Sequence, residues 1–440
     1  MGNRKLTVMK FGGGVLSNRQ DFERAAGIIS ARRASGERIV VVVSAVSGVT
    51  DWLLGNSGKL SPSEVARHLV ELHEPLASAP FAKLCLPLEE KLASNDLDRG
   101  EFVASFGERL SAIALASVLQ DRGIQARAFD AESAGIACVG VAGRASGDEV
   151  VTARNLSASV TPLLDDSVAV VTGYYGVMPD GRVSTFGRGG SDYSAGLVAA
   201  CLNAGRLELW KHVDGFLSCD PRFVPLARRV KSLSYGEAQE LGFFGAKILH
   251  PKTVIPLRAK RIPVIIRNVE RPDGEGTVIA SRESRGLELK SLAFKREVAC
   301  VYVQGEWLAE FPGLASTVFG AVSSVGVSID VIATSELNLC FTTSRGDALK
   351  AAGAVASVPG ISGVSTRCDL SLVSLIGDGL VDTPNVGGRA FGALGCEGVN
   401  VELISNGASN SNLSFVVAEK DLERAVKILH KEFFEGDANA

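Results

Sequence analysis

The final third of this 440-residue chain repeats itself, and the repeat limits the possible fold more than any other feature of the sequence. An offset of 72 residues lays Phe319-Gly320-Ala321 on Phe391-Gly392-Ala393, Gly326-Val327 on Gly398-Val399, Ile329 on Val401 and Ile332 on Ile404. Each copy reads as a helix, a glycine that stops it and a strand of alternating apolar residues. Solenoids bury a continuous core by stacking more copies than two, so the pattern predicts two packed βαββαβ, ferredoxin-like units. A closing helix over 421–433 keeps Leu422, Ala425, Val426, Leu429 and Phe433 on one face.

The first 290 residues have a different texture. Apolar runs at 6–11, 39–44, 168–172, 207–210 and 262–267 read as buried strands, and stretches at 21–33, 107–122 and 191–204 read as helices. Strands interleaved with helices predict a three-layer α/β domain, with its functional loops in the Gly, Ser and Thr clusters that end the strands. Pro272-Asp273-Gly274 opens a charged transition. The expected division is therefore 1–290, then 291–368 and 369–440 for the two copies, the last boundary being the least sharply marked.

A net charge of −3 gives no electrostatic reason to expect nucleic acid or an anionic membrane as partner. The eight cysteines are dispersed and form no C-x-x-C pair, and the five histidines are scattered, so neither a disulfide framework nor a metal centre is expected. No signal-peptide core and no uninterrupted apolar run of membrane-spanning length is present, so the expected location is the cytoplasm.

Four segments of the first 290 residues place glycine beside charge. Lys10-Phe11-Gly12-Gly13-Gly14 follows the first strand; glycines let backbone N–H groups approach an anion, and lysine adds a mobile cation. This is not a Walker loop, because the lysine precedes the glycines and no G-x-x-x-x-G-K-[ST] occurs. Ser44-Ala45-Val46-Ser47-Gly48-Val49-Thr50-Asp51 supplies hydroxyls at a helix start. Arg188-Gly189-Gly190-Ser191-Asp192 leads into another helix and joins a carboxylate-binding fork to an anion cradle. Gly245-Ala246-Lys247 sets a second lysine beside glycine, and His250, before Pro251, reads as a structural hydrogen-bonding residue. Ser105-Phe106-Gly107-Glu108 opens a helix in which Glu108, taken alone, reads as compensating the helix dipole. Each segment by itself is also compatible with an ordinary capped turn.

In this order the segments resemble the amino-acid kinase family, and specifically the aspartate kinases, over nearly the whole chain. The resemblance implies ATP, carried with Mg²⁺ on its phosphates, and L-aspartate as substrates. It assigns Lys10 and Lys247 to the transferring phosphate and Asp192 to orienting Lys10. Ser44, Thr50, Glu108 and Arg188 would hold aspartate, Glu108 on its ammonium and Arg188 on its α-carboxylate. Gly12, Gly13, Gly189 and Gly190, with Asp214, Gly215, Asp220 and Arg222, would line the nucleotide side. No metal site on the protein itself is implied. The tandem repeat resembles paired ACT domains, which implies an amino-acid effector, lysine first and threonine second, near Asp330 and Ser335. Phe311–Leu314 looks like part of that effector copy, and Gly407-Ala408-Ser409 with Asn412 matches the second copy. The same resemblance implies a homodimer or a dimer of dimers.

Two departures stand out. The family usually carries Thr or Ser after Lys10-Phe11-Gly12-Gly13, where this chain has Gly14 and Val15. An acidic residue is common at position 212, where this chain has His212. These two residues are the support for an alternative in which a weak kinase domain serves an amino-acid sensor. A second alternative keeps the fold and changes the acceptor to glutamate, acetylglutamate or a nucleoside monophosphate. Fusion to a homoserine dehydrogenase is not expected, because no G-x-G-x-x-G unit follows residue 290.

Overall fold

The computed structural model describes residues 5–246, 248–281, 288–305, 313–406 and 410–435. Lys247, Phe311, Pro312 and Gly407-Ala408-Ser409 lie outside them. Two compact units result: Met1–Phe216 with Lys231–Tyr235 and Ile248–Arg282, and Leu217–Val230 with Gly236–Lys247 and Glu283–Ala440.

In the first unit we label β1 (Leu6–Phe11), α1 (Arg19–Ala34), β2 (Arg38–Val43), α2 (Val49–Asn56), α3 (Phe106–Asp121), β3 (Ala126–Phe129), β4 (Val168–Thr172), α4 (Gly190–Cys201), β5 (Arg206–Lys211), β6 (Ser232–Leu233), β7 (Val264–Asn268) and β8 (Thr277–Ile279). They form an eight-stranded sheet in the order β6-β8-β7-β5-β1-β2-β4-β3, parallel except for the β7–β8 pair. A parallel sheet needs both faces covered, and the sequence supplies residues for both. Met9, Phe11, Ile39, Val41 and Val43 join the apolar cluster that contains the buried faces of α1 and α3. The intervening Val8, Val40 and Val42 are equally buried, and α4 lies against β1, β2 and β5. The result is the three-layer α/β domain. Chain order reverses direction about β1, which has β2 on one side and β5 on the other, so loops at the carboxyl ends of these strands diverge into a crevice.

The stretch Arg99–Asp121 is, among the described residues, the one helix long and apolar enough to cross a membrane, with 78% of its most apolar window buried inside the protein. That burial is the signature of a core helix. Its polar interruptions include Glu108, which the core holds rather than excludes.

The second unit carries the repeat. Its elements are β9 (Ser291–Gly305), α5 (Leu314–Ser324), β10 (Ile332–Thr334), β11 (Asn338–Ser344), α6 (Ala348–Ala356), β12 (Ile361–Ile376), α7 (Val386–Cys396), β13 (Leu403–Asn406), β14 (Asn412–Ala418) and α8 (Leu422–His430). One sheet, β10-β11-β9-β12-β14-β13, serves both copies. The long strands β9 and β12 pair antiparallel along their length, with a register shift between Lys295 and Val298. The later half of β9 pairs with β11, and the later half of β12 pairs with β14. Each long strand thus serves two apolar cores: one around Val301, Val318, Phe341 and Val355, the other around Leu292, Leu375, Leu394, Phe415 and Leu429. Gly326 and Gly398, 72 residues apart in sequence, both adopt φ +70 after α5 and α7, a backbone that L side chains rarely take.

Candidate active site

A cleft of about 880 Å³ opens where the sheet topology predicts it, in the first unit. Its lining includes Lys10, Gly13 and Gly14 after β1, Ser44 to Gly48 with Thr50 and Asp51 around the start of α2, Glu108 in the first turn of α3, Tyr174 after β4, and Gly187 to Asp192 at the start of α4. Ser44, Thr50, Glu108, Arg188, Gly189, Gly190 and Asp192, distant in sequence, are therefore gathered with Lys10. Gly12 adjoins Lys10: a Cβ there would lie 3.1 Å from the Lys10 Nζ.

Backbone proximity explains two of the glycines. A Cβ on Gly13 would stand 2.7 Å from the Ala45 carbonyl oxygen, so the turns after β1 and β2 can meet only without a side chain there. Gly189 has φ +70, and a Cβ there would drive into the His250 ring at 2.3 Å. His250 itself accepts a hydrogen bond from the Lys252 N–H at 3.3 Å, the structural role its place before proline predicts.

Charge in the cleft is organised by two buried carboxylates. Asp192 lies 2.6 Å through Oδ1 from Lys10 Nζ, a close ion pair, and accepts a hydrogen bond at Oδ2 from Lys211 Nζ at 3.1 Å. Burial alone would raise the Asp192 pKa; the ammonium groups of Lys10 and Lys211 outweigh it and hold this carboxyl well below the usual range. Burial lowers the pKa of Lys10, Asp192 opposes that shift, and Lys211 adds to it by like-charge repulsion.

Glu108 behaves in the opposite sense. Burial raises its pKa to about 8, against hydrogen bonds from the backbone N–H groups of Ala45 and of Glu108 itself and against the field of Lys10. Its Oε2 is buried without a hydrogen-bond partner. A buried carboxyl left open on one oxygen is costly unless something completes it. An ammonium group is the completion that would also stabilise its charged form.

The two departures noted in the sequence meet in space. The His212 Nε2–H donates to the Gly14 carbonyl oxygen at 2.8 Å, and Nδ1 lies 3.2 Å from Glu270 Oε1. The imidazole at the end of β5 therefore tethers the glycine turn after β1.

Other expected residues lie apart from this lining. Asp214 accepts a hydrogen bond from Asn268 Nδ2 at 2.9 Å and pairs with Arg271. Gly215, at φ +130, has no room for a Cβ beside the Thr277 hydroxyl. Asp220 and Arg222 belong to the second unit and pair with each other, Arg222 Nε donating to Oδ1 at 3.0 Å. Also in the second unit, Asp330 accepts hydrogen bonds from Lys295 Nζ at both carboxylate oxygens, at 2.8 and 2.7 Å. Ser335 lies just past β10, where its N–H donates to the Asn338 carbonyl at 2.7 Å.

Sequence reasoning missed Tyr174, which lines the cleft, and Lys211, which reaches the cleft residue Asp192. Tyr174 lines the cleft with φ +77, a strained backbone for a bulky residue and a common mark of a functional turn. Lys211 follows a buried tryptophan at a strand end, and sequence alone gives no sign that it turns toward Asp192. The usable signal was positional: both residues sit at the carboxyl ends of parallel strands.

Comparison with known proteins gives a consistent result. The model of the amino acid kinase family matches residues 5–268, and that of the ACT domain matches 301–358 and 373–433. Lysine-sensitive aspartokinase 3 of Escherichia coli is 30% identical over 98% of this chain and 100% of its own length. The crystal structure of E. coli aspartokinase III in complex with aspartate and ADP superposes with a TM-score of 0.82 at 29% identity, covering 98% of this chain and 100% of that one. The form of the same enzyme in complex with lysine and aspartate superposes at 0.81 and 29% identity, covering 98% and 99%.

Proposed function

This chain belongs to the amino acid kinase family and, within it, to the aspartokinases, and from that premise we infer that it is an ATP-dependent kinase acting on the β-carboxylate of L-aspartate. Its C-terminal ACT pair is regulatory. In the reaction a carboxylate oxygen attacks the γ-phosphorus. A new P–O bond forms while the bond to the β–γ bridging oxygen breaks, ADP leaves with that electron pair, and 4-phospho-L-aspartate results.

The chemistry needs no general base, because the acceptor is already ionised at neutral pH. It needs two anions brought into line with their repulsion screened, so positioning and charge stabilisation carry the catalysis. The observation that supports this reading best is the pairing, in one cleft, of a surplus of ammonium groups around Asp192 with a buried, half-satisfied Glu108. Lys10, oriented by Asp192, and Lys247 neutralise the transferring phosphate, and the N–H groups around Gly12, Gly13, Gly189 and Gly190 donate hydrogen bonds to it. Glu108 receives the substrate ammonium, Arg188 its α-carboxylate, and Ser44 and Thr50 complete its hydrogen bonding. Asp214, Gly215, Asp220 and Arg222 form the nucleotide-side loop.

Among the described residues no cluster of three or more His, Cys, Asp or Glu could hold a metal ion. This donor set suits a cation that arrives on the nucleotide: Mg²⁺ would screen the phosphates, while the lysines and glycine N–H groups hold them. For regulation we place the effector, lysine before threonine, near Asp330 and Ser335. We divide the chain into a catalytic part, 1–290, and ACT copies at 291–368 and 369–440 that share the long strands. The assembly we propose is a homodimer or a dimer of dimers, in the cytoplasm.

The test is an acceptor panel at saturating Mg-ATP, with ADP release measured for L-aspartate, L-glutamate, N-acetyl-L-glutamate and UMP. Aspartate should be turned over fastest; preferential turnover of another acceptor would overturn the assignment.

A further inference from the structure

The least expected contact in the cleft is that of Lys211. One buried carboxylate, Asp192, faces two ammonium groups, Lys10 at 2.6 Å and Lys211 at 3.1 Å. A single carboxylate neutralises one of them, so the cluster carries an excess positive charge in partly desolvated surroundings. Like charges held this close repel, and the cost falls when an anion joins them.

The two lysines are not equivalent. The side chain of Lys10 is 7% exposed and the shorter contact is its own; that of Lys211 is 23% exposed and its contact is longer. Lys10 is thus the fixed partner, and Lys211, on a flexible four-carbon stem with a route to solvent, is the one able to turn away. Its backbone is nonetheless well placed. The preceding Trp210 is in register with Phe11 of β1, and the following His212 is bonded to the Gly14 carbonyl at 2.8 Å. The root of Lys211 is thereby held beside the same glycine turn that Lys10 opens.

We propose that Lys211 is a third phosphate-binding cation of this site, released from Asp192 to the terminal phosphates of the bound nucleotide during transfer. The inference rests on the kinase reading above and adds a residue to it. Lys10 stays with Asp192, so the carboxylate is never left unpaired, and the excess charge is used on the group whose negative charge must be stabilised.

The experiment compares wild type with Lys211→Met and Lys211→Arg, measuring ADP and adenosine affinity by calorimetry in Mg²⁺ buffer, together with steady-state kinetics. Removing one charged contact to phosphate should weaken ADP binding about tenfold or more, leave adenosine binding within about twofold, and lower kcat about 10- to 100-fold. KM for aspartate should stay near its wild-type value, and Lys211→Arg should recover part of the ADP affinity. A Lys211 that merely braces Asp192 would not separate ADP from adenosine. Equal affinities in wild type and Lys211→Met, or equal losses for both ligands, would overturn the proposal. Nucleotide binding is read without an acceptor, so a wild type that fails to phosphorylate aspartate would defeat the functional reading and leave this result standing on its own.

Discussion

Two parts of the cleft carry opposite charge imbalances. Around Asp192 there are two ammonium groups for one carboxylate, and the acid is held strongly ionised. At Glu108 a carboxylate is buried with one oxygen unpartnered, and its pKa rises to about 8. Both groups are buried acids in the first turns of helices, so neither burial nor helix position explains the difference. Neighbouring cations do. The first part is preset for an anion and the second for a cation, a combination suited to a polyphosphate donor and an acceptor that carries an ammonium group.

The largest effect is expected at Lys10. Lys10→Met should lower kcat for aspartate phosphorylation by about 10³, the scale of losing a preorganised charge in a transfer site. A change of less than about tenfold would remove Lys10 from the chemistry. Next, Glu108→Gln should raise KM for aspartate by about 10²-fold, the scale of truncating a buried charge pair, with KM for ATP unchanged. If the ATP dependence moved instead, the assignment of the two parts would be reversed.

The pKa of Glu108 sharpens the same contrast. Ammonium binding requires the ionised carboxylate, so KM for aspartate in the wild type should climb as pH falls below about 8. The increase should approach about tenfold per unit. The stability effect has its own sign: a carboxyl with a raised folded-state pKa contributes stability below its ordinary value of 4.5 and loses it as pH rises through about 8. Thermal melts should therefore show Glu108→Gln gaining on the wild type between pH 5 and pH 9, by on the order of ten degrees, given about 4 kcal/mol of linkage and about 2–4 °C per kcal/mol for a domain of this size. A pH-independent difference would mean that Glu108 does not titrate as its burial implies. The smallest effect is expected at the ACT pair, where Asp330→Ala should weaken amino-acid inhibition while the uninhibited rate stays within about twofold, because Asp330 is not among the residues that line the cleft. Full inhibition in that variant would place the effector elsewhere.

Much of this was legible in the sequence because backbone requirements leave marks. The repeat was visible from paired glycines and apolar positions, and Gly326 and Gly398 share one backbone conformation. The glycine turn after Lys10, the start of α4 and Glu108 were visible as glycine and charge at element ends, and Lys10, Glu108, Arg188 and Asp192 do line one cleft. What the sequence hid depends on partners far along the chain. Glu108 reads as a surface charge until the Ala45 backbone is seen to approach it. Lys211 carries no motif of its own, and its role shows only when α4 brings Asp192 alongside. The alternating apolar residues after Gly326 and Gly398 do not show where pairing starts: the ladders begin at Ile332 and Leu403, since such residues mark a buried face but do not supply a pairing edge. The pairing of the long strands β9 and β12, each serving both cores, has no local signature at all.

The most direct test of the account is to incubate the protein with Mg-ATP, L-aspartate and hydroxylamine, and to measure ADP release alongside trapped hydroxamate, for the wild type and for Glu108→Gln. In the wild type, aspartate-dependent hydroxamate should equal the ADP released, and the variant should need far more aspartate for the same yield. ADP release without hydroxamate, or a Glu108→Gln variant with the wild-type aspartate dependence, would contradict it.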